Sequence, residues 1–518
     1  MFLKWEKWLI LVGIIIALSV DLLDMTIVNV AIPKFMAVFG VDVNHVQWVA
    51  TAYMMTIGVV IPITAYLADT FGTKRIFITS LILFTAGSVL CGLAWSMNAL
   101  IFFRIIQGLG GGMIMPLGIS IIYNTFSEAE RGLVMGIMGL PLLAAPAIGP
   151  VLGGYLVEHA DWRWIFFINI PVGILASLLL LLVLKEFEKH RPALDFPGFI
   201  FSAAGLASLL LALSKGPVDG WDEPYIVFLL IISIFLLIVF VLWELEHSQP
   251  LLELRLFANP VFCFSMVLSV LSIMAIMGSL FLLPVFLQDL RGYGPVKTGL
   301  LLAPEALAAA ITLPVSGLLV NRLNPAFLSV PGMVLVIYST WRLTQLELQT
   351  GNATLTGLLV VLGAGMGLGV MPAITVGLNA VPPRLTGQGS SLLNMIRQVG
   401  SSFSIAVLSS VLQTRQDLHY AHIADHVTVD SPAIGAFLHQ LAIQFQHQGF
   451  PGQSSTAMAI SILQKQAGLL AAVMAFHDAF LIATVFAVLG LIPALVFLVL
   501  KTPPAPGKSH DSKGLHFH

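Results

Sequence analysis

Ionisable side chains stranded inside apolar runs are the chemistry-bearing feature of this sequence. Asp24 and Asn29 stand in a mainly apolar stretch from Leu9 to Ile32, and Asp21 precedes Asp24 by three residues. At that spacing both carboxylates share one helix face. An ionised carboxylate in hydrocarbon is costly, so such a group lines a cavity, pairs with a cation or takes up a proton. The alternative is a packing carboxylate bonded to Thr26 or to a neighbouring helix. Arg104 is a permanent cation in another apolar stretch, followed by Gln107 and Met113 and by Gly108, Gly110, Gly111 and Gly112, small residues that let helices approach closely. A buried arginine needs an anionic partner, and a long side chain near a membrane surface can instead snorkel outward. Asp21, Asp24 and Arg104 are therefore the candidate proton-coupling set.

Other candidates follow in the second half. Glu305 sits after Pro304 in an Ala-rich run, Arg397 follows Asn394 by three residues, and Arg342 and Asp478 are further charges within or beside apolar runs. With Asn29, Gln107 and Met113, the residues Glu305, Asn394 and Arg397 make up the candidate cargo contacts. Glu305 suits a cationic cargo or a proton if it lies inside the protein, and is merely hydrated if it lies at the outer surface. Arg342, Arg397 and Asp478 have structural ion pairs or interfacial positions as the simpler expectation. Gly139, Pro141, Pro146, Gly149, Pro150, Gly153 and Gly154 crowd one apolar stretch, which marks a bent, tightly packed helix rather than a lipid-facing anchor.

The elements that must position these groups are membrane spans. Hydrophobic residues make up 58% of the 518 residues and charged ones 10%. Fourteen stretches reach the roughly 20 residues a bilayer core requires, beginning with 9–32 and ending with 470–500. The fold class is thus all-α and integral to the membrane. An even span count puts both termini on one side. Placing them in the cytoplasm gives fourteen basic loop residues inside, Lys74, Arg75 and Arg191 among them, against seven outside, the bias of the positive-inside rule. The first run continues to Ile32 without a small-residue cleavage site, so it reads as a retained helix rather than a signal peptide. Cys91 and Cys263 both fall in spans and suggest neither disulfide nor metal site. Neither a nucleic-acid footprint nor a phosphate-binding Gly-Lys-Ser/Thr loop is present.

The segment after span 2, from Ala65 to Arg75, is weakly echoed from Gly317 to Asn324 after span 10. Two six-helix bundles with an inserted pair follow: 1–190, the pair 191–255, then 256–501, and a tail 502–518 expected to be disordered. The polar insertion 413–468 faces outside. It contains an expected helix over Pro432 to His447 and five histidines, of which His419, His422 and His426 have near-helical spacing. A solvated interfacial face is the simpler expectation for them than a metal site.

In this order, the segments resemble the fourteen-span drug:proton antiporter family of the major facilitator superfamily, with the layout of its EmrB-type exporters. The resemblance spans essentially the whole chain. Asp24 to Pro33 is similar to the family's span 1 signature, and Arg104 to Pro116 to its span 4 motif with a coupling arginine. Gly149, Pro150, Gly153 and Gly154 match the antiporter motif, Asp69, Gly72, Lys74 and Arg75 the cytoplasmic gating motif, and Trp162 to Pro171 the span 6 entrance. Ala65, Thr70, Thr73 and Ala145 depart from those patterns. The resemblance implies a major facilitator fold of fourteen transmembrane helices in a bacterial cytoplasmic (inner) membrane. It implies export of amphipathic or cationic compounds by alternating access in exchange for protons, with no cofactor and no enzymatic step. The long outer segment is similar to that of exporters working with a periplasmic adaptor and an outer-membrane channel. The rival readings are a lipid or lysolipid translocator and a transport-inactive sensor or scaffold.

Overall fold

The computed structural model describes residues 4–189, 193–320, 322–426, 432–448 and 450–500. Arg191, Lys501 and the tail 502–518 lie outside the described residues. The first half runs through α1 (Lys4–Val30), α2 (Ile32–Phe39), α3 (Val43–Val46), α4 (Trp48–Phe71), α5 (Thr73–Gly92), α6 (Met97–Thr125), α7 (Glu128–Met138), α8 (Leu140–His159), α9 (Trp164–Phe167) and α10 (Asn169–Val183). A pair follows, α11 (Phe196–Asp219) and α12 (Pro224–Glu246). The second half comprises α13 (Pro260–Met277), α14 (Leu283–Val285), α15 (Pro295–Val320), α16 (Ala326–Leu343), α17 (Asn352–Asn379), α18 (Thr386–His426), α19 (Pro432–His447) and α20 (Gly452–Val496). Thirteen helical stretches are long and apolar enough to cross a membrane. The fourteenth span is α7 with α8, broken at Gly139 just before Pro141, where proline at the head of a helix stops the preceding one from continuing.

Local signals set several helix starts. Ser96 accepts a hydrogen bond from the Ala99 amide at the head of α6, and Ser127 forms a capping box with Glu130 at the head of α7. In the first half α1 packs on α8 and α10, and α6 on α4 and α5. The second half is built the same way from α13, α15, α16, α17, α18 and α20. α15 packs along α7 and α8, and α18 along α4 and α6, so two opposite seams join the halves. α11 lies against both α4 and α18, whereas α12 is mostly exposed, as a helix facing lipid must be.

At the end where the N-terminus lies, the halves meet backbone to backbone. A Cβ built at Gly132 would come 2.0 Å from the Gly317 carbonyl oxygen, and the reverse holds for Gly317. Tyr123 donates to the Thr375 carbonyl at 3.1 Å, and Arg131 to the Asn379 side chain at 3.2 Å. That end is shut.

One expectation needs correction. The segment 413–468 is not a loop with one helix in it: α18 continues to His426 and α20 begins at Gly452. At 1.5 Å per residue these helices, 41 and 45 residues long, are about 62 and 68 Å long, roughly twice a bilayer core. They remain helical beyond lipid because they pack on each other, with α19 against α20. Polar composition marked where they leave the membrane and not where they end. The span before residue 295 is also irregular, with π-helical turns at Gly278–Leu282 and Phe286–Leu290 on either side of α14.

Candidate functional site

One buried polar cluster gathers side chains from four long helices. Asp24 on α1 has no exposed surface, and Arg104 on α6 is 1% exposed; its Nη1 donates to Asp24 Oδ2. The other carboxylate oxygen, Oδ1, accepts from Gln107 Nε2 at 2.9 Å and from Asn169 Nδ2 at 2.7 Å. Ser88 on α5 accepts from the same two amides, at 2.7 and 3.3 Å. Arg104 also donates through Nη1 to Gln107 Oε1 at 2.8 Å and through Nε to the Val49 carbonyl at 3.2 Å. A buried charge pair is tolerated only when its remaining donors and acceptors are satisfied, and this one is. Thr26 is not its partner: its hydroxyl goes to the Leu23 and Ala145 carbonyls.

Asp21 sits one turn away and is held differently. Tyr53 donates to its Oδ1 at 2.6 Å, and the Arg104 guanidinium carbon lies 3.9 Å from the centre of the Tyr53 ring. Tyr53 therefore touches both the second acid and the cation. Glycine makes this possible. A Cβ at Gly111 would lie 2.6 Å from Asp21 Oδ1 and 2.7 Å from the Tyr53 hydroxyl, and one at Gly87 would lie 2.6 Å from the Gln107 Cα.

The span 5 glycines are contact points for α1. A Cβ at Gly149 would strike Thr26 Oγ1 at 2.0 Å, and one at Gly153 would come 2.8 Å from Ile27 Cγ1. Pro150 lies between them in α8, and Gly154 faces Pro295 of the other half. In the turn between α4 and α5, Gly72 has φ 107°, a conformation open chiefly to glycine. The Glu186 carboxylate closes over this turn, accepting from the Lys74 amide at 2.9 Å, while Lys74 Nζ donates to the Leu181 carbonyl at 2.8 Å. Asp69 is half-buried in the same turn region and Arg75 is exposed.

The cargo candidates separate. Gln107 belongs to the Asp24 cluster, and Met113 is buried in the core beside it. Asn29 is exposed and stands apart from the cluster. Asn394 is buried and donates to the Ser390 carbonyl one turn back. Glu305 is 4% exposed, so it is not hydrated at a surface; Ser279, in the first π-helical turn, donates to its Oε1 at 2.9 Å. Arg397 borders a narrow cavity of about 20 Å³ between the halves, together with Met115, Met135, Met138 and Met371. Asp478 pairs with Arg415 at 3.6 Å and with His419 at 2.9 Å, while Arg342 is half-buried and donates to Gln345 Oε1 at 2.5 Å.

Tyr53, Ser88, Glu186 and Ser279 were not singled out from sequence, and Asn169 only as part of the span 6 resemblance. A serine or tyrosine in an apolar helix is common and carries no signal alone. Asn169 was findable, since an amide after Trp164, Ile165, Phe166, Phe167 and Ile168 must find a partner.

A bundle of fourteen spans in two packed halves, closed around a central cavity and carrying a buried acid–arginine pair, is the architecture of a secondary membrane transporter. Comparison places it: residues 14–405 match the Major Facilitator Superfamily model, and the chain belongs to that family. It is 34% identical over 485 residues to the uncharacterized MFS-type transporter YhcA of Bacillus subtilis, covering 93% of this chain and 91% of that protein. It is 32% identical to the multidrug transporter protein MdtP of Bacillus subtilis, covering 79% and 76%. The multidrug export protein EmrB of Escherichia coli is 29% identical, with 87% and 90% covered. Among solved structures, the human organic anion transporter MFSD10 has the same fold, with TM-score 0.57 at 14% identity over 95% of this chain and 99% of that one. The chain is a multi-pass membrane transporter and not an enzyme.

Proposed function

We propose that this protein is a proton-coupled multidrug exporter that moves amphipathic compounds out of the cytoplasm by alternating access. The observation that carries the reading is the fully buried Asp24–Arg104 pair, tied by Gln107, Asn169 and Ser88 into one cluster across α1, α5, α6 and α10. A proton on Asp24 removes the charge that Arg104, Gln107 and Asn169 all hold. α1 is then freed from α6 and shifts against α8, where Gly149 and Gly153 let it slide. Asp21, linked to Arg104 through Tyr53, senses the same change.

In this reading the domains are 1–190, 191–255 and 256–501, and both termini are cytoplasmic in a bacterial inner membrane, as the charge bias favours. The contacts at Gly132, Gly317, Tyr123 and Arg131 form the inner gate, with the turn from Asp69 to Arg75 beside it. Relatives named as multidrug transporter and export proteins support the cargo class. The projecting α18–α20 hairpin offers a surface for a periplasmic adaptor. One charge crossing 100 mV contributes about 2.3 kcal/mol, enough for roughly a fifty-fold gradient.

The test is accumulation of a panel of fluorescent amphiphiles, ethidium among them, in inside-out vesicles under an imposed pH gradient. Gradient-driven uptake by the wild type, lost in Asp24→Asn, is the expected result. Uptake of no probe by folded wild-type protein, or undiminished uptake by Asp24→Asn, would overturn it. A lipid translocator needs lateral access at Glu305, which is buried against Ser279 instead.

A further inference from the structure

The acids buried in the first-half cluster and the second half each hold a partner on at least one oxygen, Glu305 Oε2 alone of its pair having none, while a half-buried arginine on α18 faces no acid. Arg104 pairs with Asp24, Tyr53 donates to Asp21, Ser279 to Glu305, and Asp478 is held by Arg415 and His419. No ion pair reaches Arg397 among the described residues. It is half-buried on α18, and among the described residues it is the one charged side chain lining the cavity between the halves. The wall facing it is apolar, with Leu18 from α1, Met115 from α6, Met135 and Met138 from α7, and Met371 and Ile374 from α17.

A guanidinium cannot shed its charge, and its fork of five N–H donors fits two oxygens of one anionic group. Methionine side chains adapt to apolar bodies of different shape. We infer that this cavity, only about 20 Å³ with the inner end shut, widens as the halves rock and then binds amphiphiles carrying a single anionic group, a carboxylate or sulfonate on Arg397 with the apolar body against the methionines. The inference rests on the proposed function only in taking the cavity as the cargo site. No carboxylate that could hold a cationic cargo is among the described residues lining this cavity: Asp21, which accepts from Tyr53, and Glu305, which accepts from Ser279 at one oxygen, both lie elsewhere. Charge accounting makes the class distinctive. Export of a monoanion against one entering proton carries two positive charges inward, so the membrane potential drives it, whereas exchange of a monocation for one proton is electroneutral.

The experiment uses two probes with one aromatic body, 2-naphthalenesulfonate and 2-naphthyltrimethylammonium, binding to the purified full chain in detergent. The wild type is expected to bind the sulfonate more tightly than the ammonium probe. Arg397→Ala and Arg397→Met weaken sulfonate binding about tenfold or more and leave the ammonium probe no weaker; Arg397→Lys keeps part of the affinity. The wild-type preference is readable even if a variant fails to fold. Tighter binding of the ammonium probe by the wild type, no sulfonate binding at all, or equal sulfonate binding by wild type and Arg397→Met each overturn the inference. Sulfonate that binds through Arg397 but is not accumulated in inside-out vesicles under a pH gradient upholds the anion site and sinks the export reading, which separates the two.

Discussion

At the scale of single residues, Asp24 and Arg104 depend on each other for their place in the protein. Removing one charge of a buried pair costs about 3–5 kcal/mol, because the partner is left uncompensated. Asp24→Asn and Arg104→Gln should each lower the unfolding temperature in detergent. The double variant should recover much of that loss while remaining unable to couple transport to protons. A double variant as unstable as the sum of the singles would mean that the pair is not a closed unit. Gly111→Ala probes the neighbouring link. Its methyl would land 2.6 Å from Asp21 Oδ1 and 2.7 Å from the Tyr53 hydroxyl, so Tyr53 must leave Asp21. Accumulation in vesicles is expected to fall, and Tyr53→Phe, which removes the same hydrogen bond without crowding, should reproduce the fall.

Between elements, the decisive contacts are glycine surfaces and surface ion pairs. α7 meets α15 where Gly132 and Gly317 touch backbone to backbone, so Gly132→Leu should wedge that end open. Cysteines placed on α7 and α15 near this contact are expected to cross-link less readily than in the wild type; unchanged cross-linking would show that the contact does not hold the gate. At the same end Lys7 on α1, ahead of the apolar run that starts at Leu9, pairs with Glu130 in the polar first turn of α7. The Lys7 ammonium holds the Glu130 carboxyl below its usual range, with Ser127 adding to the effect. Because the folded-state value is depressed, the stabilisation is present at neutral pH and is lost as pH falls through the carboxylate range. Lys7→Met should therefore destabilise near pH 7, and its curve should converge with the wild type only well below the ordinary glutamate value of about 4.3, as pH passes the depressed folded-state value. Parallel curves over that range would exclude the pair as the cause.

For the whole molecule, the hairpin of α18, α19 and α20 packs on itself outside the bilayer and shares no side chain with the Asp24 cluster. Replacing the hairpin tip with a short turn should leave vesicle accumulation near wild type. Loss of accumulation there would tie the hairpin to transport itself rather than to a partner. The inserted pair is placed differently. α11 touches α4 and α18, so it bridges a seam that must change if the halves rock, and α12 shields its outer face.

The sequence by itself determined the class of this protein and much of its site. Long apolar runs fix membrane spans, because unpaired backbone groups are intolerable in lipid. An acid and an arginine inside such runs must find each other or a cavity, so Asp24 and Arg104 were legible one residue at a time. The crowding of Gly139, Pro141, Gly149 and Gly153 likewise announced a bent and tightly packed helix. What only the tertiary structure decided is which groups share a site. Asn169 joins Asp24, Ser88 joins the two amides that hold it, and Tyr53 joins Asp21, all from helices far apart in sequence, and Glu186 reaches back over the turn at Gly72 from the end of α10. The separation of Glu305 from Arg397, one held at a single oxygen by Ser279 and the other facing the cavity, is equally a matter of packing. The run of residues records what must be buried, and the fold alone settles against what.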